Sequence, residues 1–151
     1  MSLLRLGPLQ KAAPFAPVIV RVIVGVIMLA HGWDKLQGGV DGFGGMLEDL
    51  GVPAPGMMAW VVTVIELVGG AALILGLLTR WAAVANSAVL LGAIFVVKLD
   101  VGLIAEAGAG AELDLALLAG LIAVLVLGPG KPSLDHALNV EVAAPQLAGR
   151  R

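Results

Sequence analysis

The sequence predicts an all-α fold: an integral membrane four-helix bundle with both termini cytoplasmic. Three observations predict it. Of 151 residues, 60% are hydrophobic and only 13% are charged, against about 45–50% and 25% in soluble domains. The apolar residues gather into four long stretches, each near the roughly 20 residues a helix needs to cross a hydrocarbon core. Most of the charges collect in the breaks between them. Helices are required because lipid offers no partner for an exposed backbone N–H or C=O.

The first stretch covers residues 15–36. It holds Arg21 internally and lacks a convincing cleavage site, so it reads as an uncleaved span rather than a signal peptide. It ends in "LAHGWDKL" (29–36), which brings His31, Trp33, Asp34 and Lys35 to an interface. The cluster "GVPAPG" (51–56) is a turn with proline preset for a helix start. The second stretch, 57–78, follows it. "LLTRW" (77–81) leaves only a tight connection to the third, 81–99, so these two form an antiparallel hairpin. The fourth, 113–127, is the shortest, and a span of that length implies local thinning or snorkelling ends. "LGPGKPS" (127–133) stops it and begins an ordinary polar tail. The chain thus divides into an N-terminal segment (1–14), a four-span membrane domain (15–130) and a tail (131–151).

Basic residues orient the bundle. Arg5 and Lys11 precede the first span, Arg80 lies between the second and third, and Lys131, Arg150 and Arg151 follow the fourth. The other two loops are acidic apart from Lys35 and Lys98. The positive-inside rule then places both termini in the cytoplasm. Trp33, Trp60 and Trp81 fall near the expected interfaces, as belt tryptophans do.

Several function classes drop out. A net charge of −2 gives no basic surface for nucleic acid. The absence of cysteine removes disulfides, thiolate metal sites and CxxC chemistry from this chain. With His31 and His136 the only histidines, a histidine metal centre is not expected. There is no dinucleotide fingerprint, P-loop or nucleophile elbow.

The ionisable residues inside the spans carry the functional question. At 100° per residue, Arg21, Gly25, Met28, Gly32 and Lys35 fall in one stripe about 80° wide, with His31 at its edge. On the second span Thr63, Glu66, Gly69, Gly70, Leu73 and Arg80 share a face. Small residues in both stripes let helices approach closely. Glu66 falls near the membrane middle, and Arg21 and His31 each lie roughly 7–8 Å from it in height. A lone carboxylate there is costly, so Glu66 is expected to be paired, protonated or beside a cavity. Two readings stay open: Arg21 and Glu66 form an interhelical pair that fixes register, or they serve a ligand or proton site. Lys35 and Lys98 either snorkel to headgroups or face a pocket. Ser87 lies about 20° from Lys98 around a regular helix. Asn86 is expected to bond a neighbouring helix. Glu112 and Asp114 mark the outer end of the fourth span, where either can face a site.

In order along the chain, Arg21, "HGWDKL" (31–36), the "GVP" loop (51–53), "ELVGGAALILGLLTRWAA" (66–83) and "LGPGKPSLDH" (127–136) resemble the DoxX family of small bacterial membrane proteins. The ordered set covers most of residues 20–136. The resemblance implies a four-helix bundle in the bacterial cytoplasmic (inner) membrane, and it implies redox work. A related group forms a subunit of a thiosulfate–quinone oxidoreductase, and other members are associated with oxidative-stress complexes. It carries the family's polar set onto Arg21, His31, Lys35 and Glu66, with Glu112 as the less regular acid before the fourth span. Lys98 stands where family members often carry a histidine, which weakens a histidine-centred mechanism.

The candidate ligand-binding residues are therefore Arg21, His31, Lys35, Glu66, Lys98 and Glu112. Glu66 and His31 are the candidate proton-exchange groups, and no metal ligand is expected. His31 and Lys35 are expected to form the outer mouth of a polar pocket with Glu66 at its floor. The leading reading is a redox-associated subunit, part of a quinone-linked oxidoreductase if enzymatic. Its expected partners are the bilayer, a quinone and redox subunits, and its glycine-lined surfaces permit a homo-oligomer. A carrier or binder of a small or lipid-like ligand and a membrane scaffold are the alternatives.

Overall fold

A computed structural model of the chain describes residues 12–105, 108 and 110–140. The basic residues Arg5, Lys11, Arg150 and Arg151 lie outside the described residues. Every regular element among the described residues is helical. Helix α1 (Ala16–Gly38) follows a 3-10 turn and carries Pro17 in its first turn, where a missing N–H leaves no bond unmade. It stops at Gly39, whose φ of 92° breaks the helix. Helix α2 (Val40–Asp49) follows at once. Helix α3 (Pro55–Leu75) starts on proline and ends at Gly76, which takes the left-handed conformation. There the Leu77 N–H donates to Ala72 C=O at 2.9 Å, closing the end of the helix.

Helix α4 (Thr79–Gly92) returns antiparallel and runs on into a π-helical turn, Ala93–Lys98. Helix α5 (Ala111–Leu127) is the fourth long helix. A one-turn helix α6 (Leu134–Ala137) is capped by Ser133, whose hydroxyl accepts the His136 N–H at 3.2 Å. The four stretches expected as spans are thus helical, with ends within a turn of their expected limits. By length and composition, three helical runs are long and apolar enough to cross a membrane: Ala13–Gly38, Pro55–Leu75 and Thr79–Lys98. α5 is shorter, at 17 residues.

The long helices close a ring. α1 packs on α3 and α5, and α4 packs on α3 and α5. Val24, Met28, Leu73, Leu90, Leu117, Leu121 and Val124 fill the centre. Outward positions such as Ile19, Ile23, Val64, Val68, Ile122 and Val126 are exposed and apolar. In water such a surface would drive aggregation; in a bilayer it is the lipid contact.

The closest helix crossing is α1 on α3. A Cβ on Gly70 would lie 2.6 Å from the Leu29 backbone nitrogen, and one on Gly25 would lie 2.8 Å from the Gly70 carbonyl. Only glycine permits that approach. The buried residues of α1 and α3 include most of the two stripes read from helical periodicity, Arg21, Gly25, Met28 and Gly32 on the first and Thr63, Glu66, Gly69, Gly70 and Leu73 on the second; Lys35 is only partly buried, and Arg80 lies past the turn, on α4 rather than α3.

Two segments differ from the sequence reading. The first acidic loop contains α2, an amphipathic helix that packs Val40 and Leu47 against Ala59 of α3. The tail after α5 is not merely a solvated polar segment. Residues 128–130 are buried, and Asp135 is fully buried against the α3–α4 turn.

Candidate functional site

Two polar centres lie at opposite ends of the bundle. The first is built on α1 and α3. Gly32 lets α3 come close enough that a Cβ there would sit 3.0 Å from Glu66 Cβ. One turn farther along α1, Lys35 reaches back across this crossing. Its Nζ stands 2.7 Å from Glu66 Oε2 and 2.9 Å from Oε1, so one ammonium bridges both carboxylate oxygens. The Phe43 ring of α2 covers the ammonium at 5.1 Å, a cation–π contact. Thr63, one turn from Glu66, donates instead to the Ala59 carbonyl at 2.8 Å.

The Lys35–Glu66 pair opens onto a cavity of about 550 Å³. α2 contributes Phe43 and Leu47 to its wall, α3 Val62 and Ile65, and α4 Val89. Its remaining polar lining is His31, Lys98 and Asp114. Apolar walls with a few convergent polar groups are the common make-up of a small-molecule site, and the volume lies within the usual range of roughly 300–1,000 Å³.

The second centre is Arg21. It is 3% exposed, and its Nη2 donates to the Pro132 carbonyl at 2.6 Å. Its guanidinium lies against Gly76, where a Cβ would collide with it. Beside it, Asp135 accepts the Leu78 N–H at 2.6 Å and the Thr79 N–H at 2.8 Å. These are backbone donors at the start of α4, so a carboxylate from the tail caps that helix. Arg80 on the same turn donates from Nε to the Leu125 carbonyl at 3.0 Å.

The candidates therefore divide. His31, Lys35, Glu66 and Lys98 come together around one cavity, whereas Arg21 and Glu112 do not line it. The Arg21–Glu66 pair considered from depth alone does not form, because Lys35 holds the carboxylate and the tail holds the guanidinium. Glu112 is exposed, and its Oε1 accepts the Gly110 N–H at 3.3 Å. Asp114 is the acid of α5 that faces the cavity. Its spacing to the buried Leu117, Leu121 and Val124 was the available signal, since those positions form one helical stripe. Lys98 reaches the cavity through the π-helical turn, whose wider coil advances each side chain by less than 100°. Asn86 donates to Ala82 of its own helix at 2.8 Å rather than to a neighbour. Among the described residues no group of three or more His, Cys, Asp or Glu is placed to hold a metal ion.

The DoxX family model matches residues 16–99, from the start of α1 through the π-helical turn. An uncharacterized membrane protein of Mycobacterium tuberculosis is 34% identical, over 90% of this chain and 89% of its own. The Bacillus subtilis protein CatD, provisionally named an oxidoreductase, is 34% identical over 84% of this chain and 90% of its own. The Escherichia coli inner membrane protein YqjF is 28% identical over 87% and 98%. No solved structure matches the chain. A family match across α1 to α4, relatives aligned over nearly their full lengths and a bundle with an apolar exterior have one reading: the chain belongs to the DoxX family of integral membrane proteins.

Proposed function

We propose that the protein is a redox-associated membrane subunit whose cavity binds a quinone head group. The observation that carries this reading is a cavity that joins apolar walls to the Lys35–Glu66 pair. A quinone supplies two-electron, two-proton chemistry. Lys35 would hold a quinone oxygen as hydrogen-bond donor, and Glu66 would be the carboxylate that takes up or releases a proton through it. His31, on the exposed rim of the cavity, links that pair to the water side. Lys98 and Asp114 add a second basic and acidic group from the facing wall. The chain has no cysteine to receive electrons from thiols, so in this reading the redox role depends on the quinone or on a partner subunit. The name of the Bacillus subtilis relative supports the same assignment.

The test is purification in mild detergent followed by mass spectrometry of the co-purifying small molecules. Wild type is expected to retain a quinone that Glu66→Gln loses. Retention of a lipid-like ligand that is not a quinone, equal in wild type and variant, would remove the redox reading.

A further inference from the structure

The cavity is not closed on every side. α3 and α4 leave their tight turn in contact, with the Asn86 amide against Gly69, where no Cβ would fit. Along two antiparallel helices paired at that level, Ile65 comes opposite Leu90, and Val62 opposite Ala93. From that level on, residues of both sides line the cavity: Val62 and Ile65 from one, Leu90 and Ala93 from the other. The π-helical turn packs on α5 and makes no comparable contact with α3. The lips of the resulting seam are Val61, Val62 and Ile65 on α3, Val89 and Gly92 on α4 and Val96 on the π-helical turn, and all six line the cavity. Val61 is 43% and Val96 is 44% exposed. A Cβ on Gly92 would meet nothing within 4 Å.

We propose that this seam is a lateral portal: the ligand enters from the hydrocarbon, and its long apolar tail stays threaded between α3 and α4 while the head reaches Lys35 and Glu66. The proposal rests on the quinone reading for the identity of the head, and it narrows the ligand to a lipid-dissolved, tailed amphiphile. Glu66 lies at the level of the lips, halfway along α3. A water-soluble ion would have to leave water to pass lips made only of valine, isoleucine and glycine. A hydrocarbon chain loses nothing on the same path and gains packing contacts.

The cysteine-free sequence makes the test direct. Val89→Cys, in the full chain in proteoliposomes, is labelled with a lipid-soluble maleimide or with a permanently charged thiol reagent. The lipid-soluble reagent is expected to react about tenfold faster or more, because charge is excluded from hydrocarbon. Gly92→Trp, and separately Val61→Trp on the opposite lip, are expected to slow that labelling about tenfold. Two lips are used so that a folding defect in one variant, checked by thermal unfolding, leaves the other informative. A decyl-substituted quinone is expected to protect the cysteine at a lower membrane concentration than the same head group without a tail. Equal labelling by both reagents, or no effect of either tryptophan, would overturn the portal. If no quinone protects while the labelling pattern holds, the quinone reading fails and lateral entry stands, with a lipid acyl chain as the occupant.

Discussion

Lys35 and Glu66 form one ion pair but are not equivalent. The side chain of Glu66 is 6% exposed and that of Lys35 is 19% exposed. Without its partner, Lys35 can extend its flexible stem toward headgroups, whereas Glu66 remains in the wall of the cavity. Lys35→Met should therefore strand a carboxylate and destabilise the protein by about 2–4 kcal/mol. Glu66→Gln, which leaves a hydrogen-bonding amide and a lysine free to move, should cost about 1 kcal/mol. The double variant should recover most of the Lys35→Met loss. Thermal unfolding of the four proteins in one detergent checks this, and equal losses for the two single variants would refute the asymmetry. At this scale the sequence was partly legible. Periodicity placed Glu66 and Lys35 on facing stripes, because every residue of a regular helix turns by the same angle. It did not pair them, because the shift of one helix along another is set by Gly25, Gly32 and Gly70 together. Lys98 was harder to place, since a π-helical turn breaks the angle on which the projection relies.

Helix α4 illustrates what an element can owe to a distant segment. Its first residue, Thr79, has no side-chain cap of its own, and the preceding Leu78 sits at φ 46°. The donors there are satisfied by Asp135, 56 residues away from Thr79. Such a cap has no local signature of the kind that marks Ser133, so the tail read only as polar. Asp135→Ala should leave the buried Thr79 N–H and the partly buried Leu78 N–H without an acceptor and destabilise by about 2–3 kcal/mol. Asp135→Asn should lose less, since one amide oxygen still accepts. Amide hydrogen exchange at Leu78 and Thr79 should accelerate in both variants, and unchanged exchange would show that the tail does not hold this helix start. Glycines offer a second contrast between elements. Gly70→Ala on α3 would push a Cβ into the backbone of α1 and should destabilise by about 1–3 kcal/mol. Gly42→Ala on α2 would meet nothing within 4 Å and should stabilise by about 0.5–1 kcal/mol through helix propensity. Unfolding midpoints of opposite sign test both, and α2 itself escaped the sequence reading because Gly38, Gly39, Gly42 and Gly45 mask its short apolar face.

For the whole molecule, the decisive quantity is how many helices cross the bilayer. α5 is 17 residues long, or about 26 Å, slightly less than a hydrocarbon core of about 30 Å. Its packing argues that it nevertheless spans. Leu117, Leu121 and Val124 enter the same core as Val24 of α1 and Leu90 of α4, while Leu115, Ile122 and Val126 remain exposed. A helix set laterally between two spanning helices, with an apolar outer face, has no aqueous side to occupy. Four spans put the beginning of α1 and the end of α5 on one side, together with Arg21, Arg80 and Lys131. From the positive-inside bias of those loops we propose that this side is cytoplasmic, which would open the cavity rim with His31 toward the opposite face. Fluorescent-protein fusions at either terminus should therefore be bright, and alkaline phosphatase fusions at either terminus inactive. A phosphatase active only at the C-terminus would mean three spans, and α5 would then have to lie along the interface. That position would take Leu117 out of the core and Asp114 away from the cavity. The topology assay thus tests the geometry of the site as well as its orientation.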